Sequence, residues 1–344
     1  MQLEAISQTL ALRFGEPFVT LDSHTAGEPT RLVIGLPSIP GKTINDKRLH
    51  MMNEMDHVRL LLTQEPRGHR DMFVAIMTEA VTEGADFGLI YADARRYPYL
   101  CGHGTIGAVT TLIELGLLAA PAPETVVTVD TPVGPMEVVA HLQGGRVLGV
   151  TIQAVPCFAY LLDQPLEVPG LGQISVDISF AGGFFAMVSK EVVGLDLTPA
   201  NASALAPIGM AIIEAANQHL TVQHPTRPYI TTVDVAEFYD PSEHAQRHGL
   251  NMVIYGESHV DRSPCGTGTC AKMALLHRKG ELGVGETFIN AGILGTTFEG
   301  RVVAETLAGD IPAIVPQFRG SAHITGMHRF FVDPNDPFPT GFLL

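Results

Sequence analysis

A chain of 344 residues with 46% hydrophobic and 17% charged side chains has material for two packed domains and is too apolar to be disordered. The net charge of −15 argues against nucleic acid or an anionic membrane surface as partner, since both need clustered Lys and Arg. No apolar run reaches the length of a membrane span, and the opening MQLEAISQTLALRFGEPF has no basic flank, so the expected setting is cytoplasmic.

In chain order, the first dense polar group is DSHTAGEPTR, residues 22–31, read as a turn broken by Gly27 and Pro29. Its Asp22, His24, Glu28 and Arg31 form a cluster that includes metal-ligand types, but the spacing matches no common site, and no metal is expected. GADFGLIYA, 84–92, predicts a strand, and 105–118 a buried helix after the turn Cys101-Gly102-His103-Gly104-Thr105. Antiparallel strands are expected across 124–142 and 145–155. The run 174–189 carries Gly182-Gly183, which marks a bulge or bend at least as readily as a ligand contact. A helix is expected over 207–219. NMVIYG, 251–256, predicts another strand, followed by Cys265-Gly266-Thr267-Gly268-Thr269 and a helix over 269–282.

The two cysteine turns belong to an internal repeat. Laying Cys265 on Cys101 also lays Val253-Ile254-Tyr255 on Leu89-Ile90-Tyr91, Leu276 on Leu112, Gly280 on Gly116 and Leu282 on Leu118, without a gap. The chain therefore reads as two similar halves, each with strand, loop, Cys-Gly-x-Gly-Thr and helix. A cysteine at a helix N-terminus meets unpaired backbone N–H groups that favour an anion and lower a thiol's pKa. One such thiol suggests a nucleophile; two facing ones suggest a proton donor and a proton acceptor around one ligand. A buried inert thiol is the commoner state of a lone cysteine, and the matched pair reverses those odds. Neither turn has the Lys of a phosphate-binding loop. Cys157 and Cys270 lack such a setting, and four cysteines are too few for a disulfide framework.

The motifs DSHTAGEPTR, EPRGHRDMF, CGHGTIGAVT, DRSPCGTGTCAKMALLH and SAHITGMHRFFVDPNDPF resemble the proline racemase family, from about Leu21 to the C-terminus. That family also holds hydroxyproline epimerases and trans-3-hydroxy-L-proline dehydratases. The resemblance implies a diaminopimelate epimerase-like α/β (α+β) fold: two pseudo-symmetric lobes, each a curled, mainly antiparallel sheet around a central helix, with the site in the cleft. The expected lobes are 1–125 plus 316–344, carrying Cys101, and 126–315, carrying Cys265. It further implies a homodimer that needs no cofactor and acts on a small imino acid. Cys101 and Cys265 match the catalytic thiols; Gly102 and His103 match the first substrate-binding turn, and Gly266 and Thr267 the second. Asp261 matches the residue near the substrate amine. The dehydratases typically carry Thr in place of the second cysteine, so Cys265 favours racemisation or epimerisation over loss of water. Phe73 and Tyr255 match aromatic positions of the proline racemases and favour proline over 4-hydroxyproline, although a Tyr hydroxyl also suits a ring hydroxyl. One departure is the approach DARRYPYLCGH. Arg95, Arg96, Pro98, Tyr99 and Leu100 reshape the loop before Cys101, and an arginine reaching the cleft would suit a substrate with a further carboxylate.

Overall fold

The computed structural model describes residues 3–242 and 244–344. Three helices come early in the chain: α1 (Leu3–Phe14), α2 (Ile44–Glu54) and α3 (Asp56–Thr63). The first lobe contains β1 (Phe18–Thr25), β2 (Glu28–Ile34), β3 (Val74–Thr78) and β4 (Phe87–Ala92). Helix α4 (Gly102–Glu114) follows, then β5 (Glu124–Thr131), β6 (Gly134–Gln143) and β7 (Arg146–Gln153). The second lobe opens with β8 (Phe158–Val168), β9 (Gly172–Phe180), β10 (Phe184–Ser189) and the short α5 (Lys190–Val193). It continues through α6 (Ala202–His219), β11 (Val233–Asp240), β12 (His248–Tyr255) and β13 (His259–Val260). Helix α7 (Gly266–Arg278) precedes β14 (Thr287–Ala291), β15 (Thr297–Ala308) and β16 (Ile311–Gly320). The final strand, β17 (Ala322–Phe330), returns to the first lobe and pairs antiparallel with β1.

Strand pairing shows the repeat directly. The first lobe runs β17-β1-β2-β3-β4-β5-β6-β7, parallel at β2/β3 and β4/β5 and antiparallel elsewhere. The second runs β8-β9-β10-β11-β12-β14-β15-β16, parallel at β10/β11 and β12/β14. The two orders correspond step for step, and an antiparallel β7/β16 pairing joins the lobes. In the first lobe β17 occupies the place that β8 holds in the second. Because β5 to β7 continue the sheet around α4, we propose lobe boundaries at 154–157 and at 321, rather than at 125/126 and 315/316.

Each sheet curls round an apolar helix. Residues Gly102 to Ile113 of α4 are all buried, which suits a helix of mostly small and aliphatic side chains. Its Gly107 allows close approach to β1 and β2, where a Cβ would lie 2.8 Å from Ser23 Oγ and 2.9 Å from Thr30 Oγ1. Both central helices begin immediately after their cysteines, three residues before the expected starts at 105 and 269. Helix α6 likewise starts at Ala202 and contains Pro207 rather than beginning there. The segment 22–31 is a β1–β2 hairpin, with the turn confined to Ala26 and Gly27 at φ 53° and 95°. Gly182-Gly183 lies in the turn between β9 and β10.

Candidate active site

Cys101 and Cys265 are the N-caps of α4 and α7. Each sulfur accepts the backbone N–H three residues on, Gly104 N or Gly268 N, at 3.3 Å. The first turn is braced by Thr105 Oγ1, which donates to the Cys101 carbonyl at 2.7 Å; in the second, Thr269 Oγ1 donates to the Pro264 carbonyl at 3.3 Å. The two turns abut. A Cβ on Gly102 would lie 3.3 Å from Gly266 Cα, and a Cβ on either glycine would strike Phe318 at 2.6 Å or less. Phe318 of β16 is thus a shared floor that only glycine at both positions accommodates.

One cleft between the lobes is lined by Phe73, Cys101, Gly102, His103, Tyr255, Asp261, Cys265, Gly266 and Thr267, every site residue expected from sequence. Arg96, Pro98, Leu100, Phe185, Val235 and Val253 complete its wall. Cys157 and Cys270 do not line this cleft. Arg96 therefore reaches the cleft and Arg95 does not; Arg95 is half-exposed beside Glu257. The Arg96 guanidinium already carries Asp234 at 3.0 Å and Asp93 at 3.4 Å, so its charge is taken.

Behind the cleft lies a buried polar hub that the sequence did not reveal. Glu28 of β2 is fully buried and accepts from His259 at 2.6 Å, from Tyr255 Oη at 3.3 Å and from the Arg262 N–H at 2.8 Å. Burial alone would raise the Glu28 carboxyl, but the His259 charge and hydrogen bond hold it down, at about 2. The same pairing raises His259 against the effect of burial. Glu28 thereby ties the first lobe to the segment leading into Cys265. Its companion Asp22 pairs with Arg31 at 3.0 Å.

Asp261 accepts from Ser263 N at 2.8 Å and Ser263 Oγ at 2.7 Å, and Ser263 Oγ in turn accepts from Cys265 N at 3.0 Å. Burial, then the Glu28 charge, push Asp261 up to about 7. His103 Nδ1 lies 3.2 Å from the Cys101 sulfur, its ring edge-on to Phe73 at 4.6 Å. Burial lowers His103 to about 4, so it is neutral at pH 7. Burial also pushes both cleft thiols well up, outweighing the helix N–H groups that the sequence argument relied on; Asp261 adds to this at Cys265. Burial thus favours the protonated thiol at both positions of the cleft.

A family model described as proline racemase matches residues 20–343. The chain is 43% identical to a proline racemase of Clostridioides difficile over 334 residues, 97% of this chain and 100% of that one. It is 41% identical to a 4-hydroxyproline 2-epimerase of Streptosporangium roseum, again covering 97% and 100%. Among solved structures, a hydroxyproline epimerase from Agrobacterium vitis with bound trans-4-OH-L-proline superposes with a TM-score of 0.91 at 32% identity, covering 96% and 97%. Fold and relatives together define an isomerase of the racemase and epimerase type, with two pseudo-symmetric α/β lobes. The chain belongs to the proline racemase family.

Proposed function

We propose that the protein inverts the α-carbon of proline, or secondarily of a 4-hydroxyproline, by proton transfer between Cys101 and Cys265 without a cofactor. The observation that carries this reading is the pair of matched cysteine N-caps lining one cleft between pseudo-symmetric lobes. Backbone N–H groups of the two abutting turns hold the substrate carboxylate and stabilise the charge that builds as the α-proton leaves. Asp261, as carboxylate, takes the ring ammonium. One thiolate removes the α-proton, giving a thiol and a carbanion; the opposite thiol then protonates the other face and becomes a thiolate. Reversal exchanges the roles. Phe73 and Tyr255 wall the ring. Because the Tyr255 hydroxyl lies against Glu28 and His259, it is engaged behind the cleft and leaves the ring an apolar face, which favours proline. A homodimer in the cytoplasm belongs to the same reading, on the strength of the family resemblance.

The test is incubation in deuterated water with L-proline, trans-4-hydroxy-L-proline and trans-3-hydroxy-L-proline separately, following α-deuteration and product chirality. Wild-type protein is expected to invert proline with α-exchange, and Cys101→Ala and Cys265→Ala each to lose racemisation by at least about a hundredfold. Racemisation at wild-type rate in either variant, or loss of hydroxyl from the 3-hydroxy substrate as the main product, overturns the scheme.

A further inference from the structure

The segments leading into the two cysteines reach across the cleft in opposite directions. Before Cys101, Arg96 of the first lobe binds Asp234 at the start of β11 in the second lobe, at 3.0 Å. Before Cys265, Arg262 of the second lobe binds Asp71 of the first, three residues before β3, at 2.5 Å. Strand pairing makes β3 and β11 equivalent positions of the two lobes, so the two ion pairs are reciprocal. Each anchor is shaped locally. Asp93 accepts the backbone N–H groups of Arg95 and Arg96 at 2.8 Å each, curling the first segment, and the Arg262 N–H is fixed on Glu28. Leu100, next to the first cysteine, seats against Gly182 of the other lobe, where a Cβ would lie 2.6 Å from it.

From this arrangement we infer that Arg96–Asp234 and Arg262–Asp71 are a pair of inter-lobe clasps that hold the cleft shut and set the separation of the two sulfurs. Arg96, Asp234, Arg262 and Asp71 are positioning residues: they act through the thiols and not on the substrate. Both pairs are only partly buried, with side-chain exposures of 23% and 17% for the first and 34% and 22% for the second, so water can compete for them when the lobes part. The inference rests on the two-thiol reading for its catalytic consequence, but the closure itself is measurable without substrate.

The test is the rate of alkylation of Cys101 and Cys265 by iodoacetamide in the ligand-free full-length protein, read peptide by peptide by mass spectrometry. Arg96→Ala and Asp234→Ala are each expected to speed alkylation of both thiols at least about threefold, and the double variant to be no faster than either single one. The same pattern is expected for Arg262→Ala, Asp71→Ala and their double. Arg96→Lys keeps a cation and is expected to stay within about twofold of wild type, which separates clasp loss from misfolding. With proline, opening the clasp raises KM more than it lowers kcat. Unchanged alkylation in the single variants, or double variants faster by the product of both single effects, overturns the inference. Alkylation that follows this pattern in a protein that does not racemise proline leaves the clasps standing and overturns only the substrate reading.

Discussion

At the scale of single residues, Asp261 and Glu28 show how one buried site treats two carboxyls oppositely. Glu28, facing His259, is held down at about 2, so its contribution to stability is complete above its ordinary 4.5 and is lost as pH falls towards 2. Asp261 lies at about 7 against an ordinary 3.8, because burial and the Glu28 charge oppose a second anion. Between those two values the native chain keeps a proton that the unfolded chain has released, so stability declines as pH rises through the window. Wild-type protein is expected to lose about 2 kcal/mol from this group between pH 5 and 7, and Asp261→Asn to flatten the decline. Urea unfolding at several pH values reads this directly; an equal decline in the variant removes Asp261 as its cause. On the proposed mechanism the same proton would matter in use, since a bound ring ammonium would convert Asp261 to carboxylate and favour a neighbouring thiolate. The residues of this site were legible to different degrees. Cys101, Cys265 and their flanking glycines announce themselves by repetition. Glu28 and His259 do not, because a hydrogen-bonded hub assembled from distant segments leaves no spacing to read.

At the scale of elements, what was legible followed from periodicity and what was missed followed from its absence. The strands before each cysteine and the apolar helices after them were placed, although the helix starts were set three residues late. Each cysteine stands at a helix N-terminus, as expected, and is the cap itself, while the glycines after it form the first turn, pressed against Phe318. Helix α2 escaped notice because its buried face contains Lys47 and Arg48 beside Ile44 and Met51. Lys47 Nζ satisfies itself on Thr78 Oγ1 and the Glu79 carbonyl, both at 2.9 Å, and Arg48 Nε donates to the Tyr97 carbonyl. Buried charges of this kind erase the apolar stripe. The hairpin β1–β2 was hidden by polar residues on buried strands, among them Ser23, Thr25, Glu28 and Thr30. Helix α4 crosses this hairpin at Gly107, and there the sequence leaves no slack. Gly107→Ala is expected to cost about 1–3 kcal/mol, measured by thermal unfolding, because its methyl meets two hydroxyl-bearing side chains on adjacent strands. A neutral result would mean that the hairpin yields to the helix.

At the scale of the whole molecule, the duplication was readable as architecture and its closure was not. The repeat implies two lobes and one cleft, but a boundary at 125/126 falls inside β5 and one at 315/316 falls inside β16. A repeat anchored on two short motifs says which segments are equivalent, not which sheet edge a distant strand joins. The family resemblance, rather than the repeat, puts 316–344 in the first lobe, where β17 pairs with β1 across nearly the full chain.

That pairing has a consequence for the chain's synthesis. All the strands of the second lobe, from Phe158 to Gly320, are made in one uninterrupted stretch, whereas the first lobe lacks an outer strand until residues beyond 321 leave the ribosome. The half whose strands come first is therefore the half completed last, and the cleft is expected to take its final form only after β17 has paired with β1. A chain stopped at residue 321 is expected to leave a protease-resistant fragment corresponding to 158–320 while the N-terminal half is digested and racemase activity is lost. Equal resistance of both halves would show that the early half matures without its late-arriving strand.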